Sequence, residues 1–95
     1  MVGAMSLEFL SSSDVRAVLF ELMWGDRFEK DLKTKISAEE DFIEIRDRLV
    51  EDEIVYQLRG ENNAVYLSLT DKGVAIISRL YDIERILEGE DIDAV

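Results

Sequence analysis

The chain contains no cysteine, no histidine and no proline. Without cysteine, disulfides, thiolate zinc sites and thiol nucleophiles are excluded. Without histidine, the commonest general base and the commonest transition-metal ligand are missing. Without proline, helices run unbroken to their caps. Glycine is sparse: the five present are isolated, so there is no glycine-rich phosphate loop. Positive charge is scarce as well. Eleven Lys and Arg stand against 22 Asp and Glu, a formal net charge of −11. Non-specific nucleic-acid binding draws its affinity mainly from cations on phosphates, so this balance disfavours it. It disfavours anionic membrane surfaces equally. No apolar run approaches the roughly 18 residues of a membrane span. The opening Met1-Val2-Gly3-Ala4-Met5 lacks the basic region and long apolar stretch of a signal peptide, so a cytoplasmic location is expected.

What remains is a single domain. The 95 residues are 47% hydrophobic and 35% charged, the composition of a soluble globular protein whose modest core would gain from dimerisation. The expected division is an N-terminal arm or short strand at 1–12, a domain at 13–88 and an acidic tail at 89–95. From Asp82 to the end there are six acidic residues against one Arg. Ser11-Ser12-Ser13 before Asp14 signals a helix start, because a hydroxyl accepts from an orphan backbone N–H. Val15, Val18, Leu19, Leu22 and Met23 then form one apolar stripe, and Gly25 ends the helix. Asp26 with Glu29 predicts a second, shorter helix whose inner face is Phe28, Leu32 and Ile36. Its outer face carries Arg27, Lys30, Lys33 and Lys35, the one stretch with a positive excess. Ser37-Ala38-Glu39-Glu40 reads as a capping box opening a third helix at once, with Phe42, Ile45 and Leu49 inward.

Beyond Asp52 the apolar period changes from 3.6 to 2. Two alternating runs around Gly60-Glu61-Asn62-Asn63 predict an antiparallel hairpin. Thr70-Asp71 caps a last helix from about Lys72 to Glu88. Ile76, Leu80, Ile83 and Leu87 follow the 4-3-4 spacing of a coiled-coil seam. Val74, Ile77 and Tyr81 make a second stripe about 120° away. One stripe is expected on the domain and the other on a partner, which predicts a homodimer through the seam.

Helix, helix, closely joined helix, hairpin, helix is the order of a winged helix-turn-helix domain, an α+β fold. Arg48-Leu49-Val50-Glu51-Asp52-Glu53-Ile54-Val55 resembles that family's passage from third helix to wing. Tyr66-Leu67-Ser68-Leu69-Thr70-Asp71-Lys72-Gly73 resembles its exit from the wing. The likeness runs from about Ser13 to Leu87 and points to small prokaryotic, especially archaeal, transcription regulators. Glu53 departs from it, standing where the family often has Gly. The resemblance implies a regulator that binds DNA as a homodimer, with the third helix in the major groove and the hairpin on the backbone or minor groove.

The charges answer back. Outward on the third helix are Glu39, Glu40, Asp41, Glu44 and Asp47, with Ile43 and Arg48. One carboxylate can read a cytosine amine, but five in a groove meet phosphate repulsion. Candidate phosphate contacts are Arg27, Lys30, Lys33, Lys35, Arg48 and Arg59, so DNA binding should be weak and salt-dependent. The alternative is a protein-interaction module using Glu39, Glu40, Ile43, Glu44 and Asp47. The plainer readings are a solvated acidic face and a solvated lysine face, with Ile43 either an exposed anchor or tucked into the core. Catalysis finds no support: Ser11-Ser12-Ser13 has no base to activate it. The Glu40/Glu44 pair is of a kind that surface helices carry routinely, and Asp91 and Asp93 lack an EF-hand loop. No cofactor and no metal are expected. Trp24 and the tyrosines read as core or interface.

Overall fold

The computed structural model describes residues 7–89. It contains five α-helices and a three-stranded antiparallel sheet: α1 Leu7–Leu10, α2 Ser13–Met23, β1 Arg27–Phe28, α3 Glu29–Lys33, α4 Phe42–Glu51, β2 Val55–Arg59, β3 Val65–Leu69 and α5 Asp71–Leu87. The sheet order is β1-β3-β2. This is an α+β winged-helix fold. No described helix is long and apolar enough to cross a membrane. Beyond Gly89, the expected acidic tail lies outside the described residues, as do residues 1–6 of the expected arm.

Most of the apolar stripes read from the sequence meet in one core, but Phe28, expected on the inner face of the second helix, is 42% exposed on β1, and Val74 is 49% exposed on α5. Val15, Val18, Leu19 and Leu22 of α2 pack with Leu32, Ile36, Phe42, Ile45 and Leu49. Ile54, Val55 and Leu67 enter from the sheet side, and Ile77 from α5. The Ser12 hydroxyl accepts from the Val15 N–H at 3.3 Å, capping α2. Thr70 caps α5, accepting from the Gly73 N–H at 2.9 Å.

Three local expectations are corrected. Residues 7–10 form one helical turn rather than a strand. The second helix does not start at Asp26. Arg27 and Phe28 instead pair with Leu67 and Tyr66 as an edge strand, and α3 starts at Glu29. A two-residue strand has no alternation to betray it. Ser37 is not a helix cap: its N–H and hydroxyl both donate to the Asp14 carboxylate, at 2.9 and 3.0 Å. A 3-10 turn over Glu39–Asp41 intervenes, and α4 begins only at Phe42.

α4 closes with a Schellman arrangement. The Ile54 N–H donates to Leu49 O at 2.8 Å and the Glu53 N–H to Val50 O at 3.0 Å. The motif demands a left-handed residue, and Glu53 supplies it at φ 61°. Glu53 thus takes the backbone conformation that the family's Gly would adopt without strain. Gly73, by contrast, is required where it stands. A Cβ there would collide with the Ile54 carbonyl oxygen. That contact seats the start of α5 on the entrance to β2.

Candidate nucleic-acid interface

α4 is positioned by three buried side chains, Phe42, Ile45 and Leu49, which turn its opposite face to solvent. Glu39, Glu40, Asp41, Glu44 and Asp47 are all exposed. Ile43 is 53% exposed, which settles its position on the surface rather than in the core. The outward face of α4 and of the turn before it is therefore as acidic as the sequence implied.

Two carboxylates tie the helix-turn-helix to its surroundings. Asp14, in the first turn of α2, receives the Ser37 N–H, the Ser37 hydroxyl and the Ala38 N–H. The backbone hydrogen bond from Ser37 does most to hold its carboxyl below the ordinary aspartate value, with Ala38 and the Ser37 hydroxyl assisting against desolvation. Glu29, at the start of α3, accepts from Arg46 Nη1 of α4 at 3.1 Å and from Gln57 Nε2 of β2 at 2.8 Å. Arg46 also meets Asp47 at 2.8 Å. Burial alone would lower the Arg46 guanidinium pKa, but the hydrogen bond to Asp47 and the Glu29 and Asp47 charges outweigh it and raise it. Both Arg46 and Glu29 side chains are largely buried, at 18% and 14% exposure. This clamp fixes α3, α4 and the wing relative to one another. Sequence reasoning passed over Arg46, although 100° per residue sets it only 40° from the buried Phe42. A cation so close to the core needs an internal partner, and that was the available signal.

The six candidate phosphate contacts are dispersed. Lys30 and Lys35 are exposed at α3, and neither has an ion-pair partner among the described residues. Lys33 is half-buried, its ammonium 5.9 Å from the centre of the Phe42 ring. Lys33 thus stands beside the start of α4, Lys30 lies one turn before it on α3, and Lys35 follows two residues after the helix ends. Arg27 sits on edge strand β1, 3.8 Å from Glu21 and donating to Asp26 O. Arg48 turns away to α1, its guanidinium 4.4 Å from the Phe9 ring centre and 3.8 Å from the buried Asp52 carboxylate. Arg59 stands at the wing, donating to Asn63 O at 3.4 Å. The wing tip is exposed, with Asn62 and Asn63 both left-handed.

The α5 seam is divided along its length. Ile76 and Leu80 pack against the core, while Ile83 is 52% and Leu87 77% exposed. With Leu7, Leu10 and Phe20, the outer half of the seam borders a groove of about 300 Å³. Trp24, read as core or interface, is 70% exposed at the end of α2. No group of carboxylates able to hold a metal occurs among the described residues.

The sequence matches no protein-family model and no curated protein. Solved structures do match. The transcriptional regulator YodB from B. subtilis superposes with a TM-score of 0.71 at 19% identity, over 90% of this chain and 91% of that one. AF1382 from Archaeoglobus fulgidus gives 0.73 at 21% identity, over 88% and 98%. A ZitR variant from Lactococcus lactis gives 0.68 at 26% identity, over 81% of this chain but 56% of that one. The chain thus spans a little over half the length of the ZitR chain. A structure described as a transcriptional regulator from Clostridium thermocellum matches at 0.68 and 14% identity. The chain accordingly has the winged-helix fold of transcription regulators.

Proposed function

We propose that this protein is a transcriptional regulator that binds duplex DNA as a homodimer, held chiefly by Lys30 and Lys33 of α3 and by Lys35 just beyond it. The reading is supported by the winged-helix fold shared with solved transcription regulators, together with exposed Lys30 and Lys35 and with Lys33 beside Phe42 at the start of α4. Phosphate contacts from that position orient a winged helix on DNA without sequence information. Arg59 adds a contact from the wing. The carboxylates on α4 oppose close approach, so affinity is low and depends steeply on salt. Arg27 and Arg48 are directed elsewhere, to Glu21 and to Phe9 with Asp52. The exposed Ile83 and Leu87 support pairing of two copies through the end of α5.

The test is duplex binding by the variant Lys30→Glu, Lys33→Glu, Lys35→Glu at low salt. Binding should be abolished while the fold, followed by circular dichroism, is retained. Undiminished binding by a folded triple variant would place the docking face elsewhere.

A further inference from the structure

The outer edge of the wing offers a second surface. In the β1-β3-β2 order, β2 pairs on one side only. Thr70 N–H donates to Ile54 O and Gly60 N–H to Ala64 O, so residues 54/70 and 60/64 are hydrogen-bonded pairs. Antiparallel alternation makes Tyr56/Ser68 and Leu58/Tyr66 hydrogen-bonded pairs as well. The N–H and C=O groups of Val55, Gln57 and Arg59 therefore point away from β3; Val55 is covered, at 2% exposure, while Gln57 and Arg59 leave an open, unpaired edge. Beside this edge runs a groove of about 590 Å³ between β2, the end of α4 and the start of α5. Its apolar walls are Val50, Tyr56 and Leu58, which are 36%, 57% and 39% exposed. Such an open, apolar edge is a template for an added strand.

We propose that this edge accepts an extended segment of a basic protein partner, which continues the sheet beyond β2. The charges choose the occupant. Glu53 and Asp71 line the groove, and exposed Glu51 adjoins Val50 on α4. The one cation in the lining, Lys72, is spent on the Asp52 carbonyl, 2.9 Å away. A second copy of this chain would bring two such acidic rims together, each on a molecule of net charge −11. DNA would meet the same repulsion. A segment alternating apolar residues with Lys or Arg satisfies the backbone, the apolar walls and the rim together.

The experiment pans a library of random ten-residue peptides against the whole chain, then follows backbone amide exchange with the selected peptides bound. The selected peptides should alternate apolar with basic residues and slow exchange at Gln57 and Arg59 at least tenfold. Their affinity should fall about tenfold in Tyr56→Ser and in Glu53→Gln with Asp71→Asn, both expected to fold because the sites lie on the surface. Several outcomes overturn the proposal: no selection, binders without basic residues, or protection at other amides. Protection of the same amides by protein concentration alone would assign the edge to a second copy, and protection by duplex DNA would assign it to the nucleic-acid face. This inference stands apart from the DNA reading, and failure of either leaves the other in place.

Discussion

At the scale of single residues, two backbone positions carry opposite demands. Glu53 holds a left-handed conformation that disfavours any side chain, at φ 61°. Glu53→Gly should therefore stabilise the domain by about 0.5–1 kcal/mol, net of the entropy a glycine loses on folding. The denaturation midpoint would rise by a few degrees; an unchanged or lower midpoint would contradict the reading of that turn. Gly73→Ala should do the reverse, costing roughly 2 kcal/mol or more, because the Ile54 carbonyl occupies the space a Cβ needs. The sequence marked Glu53 as an oddity against the winged helix-turn-helix pattern it resembles, but said nothing of Gly73, whose constraint comes from a strand entrance 19 residues away. Asp14 makes a third case. Its carboxyl is held below the ordinary value chiefly by the Ser37 N–H. A depressed carboxylate contributes stability that is present above its unfolded pKa and is lost as pH falls through the folded value. The stability difference between wild type and Asp14→Asn should thus be full at neutral pH and shrink below about pH 3.8, the ordinary aspartate value. Urea melts of the pair between pH 6 and 3 would show a constant difference if Asp14 played no such part.

At the scale of elements, the long periodic segments were legible and the short joints were not. α2, α4, the hairpin and α5 announce themselves by a change of apolar period from 3.6 to 2 and back. β1 has only Arg27 and Phe28, too short for any period. The Ser37 capping box failed because a carboxylate on another helix competes for the same donors. Pattern within four residues cannot see a partner 23 positions away. The candidate site was legible in composition and only partly in geometry. The outward carboxylates of α4 and Lys30 and Lys33 of α3 stand where helical angles put them, whereas Lys35 lies past the end of its helix, Arg48 is drawn to Phe9 and Arg46 to Glu29. That Arg46–Glu29 clamp should couple the two helices: a double-mutant cycle with Arg46→Met and Glu29→Gln is expected to give an interaction of about 1–2 kcal/mol. A coupling near zero would mean solvent screens the pair. The acidic face has its own test. Glu40→Gln with Glu44→Gln removes one charge from the 3-10 turn and one from α4, so DNA affinity should rise severalfold if the face lies near phosphates. A fall would instead assign one glutamate to a cytosine amine.

At the scale of the whole molecule, net charge and fold pull in opposite directions. A winged helix presents its third helix to DNA, yet here 22 Asp and Glu outnumber the 11 Lys and Arg, a net charge of −11. The proposed account reconciles them by concentrating phosphate contact on α3 and doubling it in a dimer. The structure refines how that dimer should be probed. Leu80 packs on its own core, so replacing it endangers the fold, whereas Ile83 and Leu87 are exposed. Ile83→Lys with Leu87→Lys should give a folded monomer in sedimentation, with DNA affinity lowered at least tenfold by the loss of half the contacts. A wild type that sediments as a monomer at micromolar concentration would remove the dimer from the account.

The central claim, lysine-led phosphate contact by a dimer, is tested most directly by the salt dependence of duplex affinity. The logarithm of the binding constant against that of salt concentration should fall with a slope of about −7 if Lys30, Lys33, Lys35 and Arg59 of both protomers engage phosphates. Lys30→Gln, Lys33→Gln, Lys35→Gln should flatten that slope towards the small remainder left by Arg59. A slope unchanged by the three substitutions would contradict the claim, whatever the affinity itself.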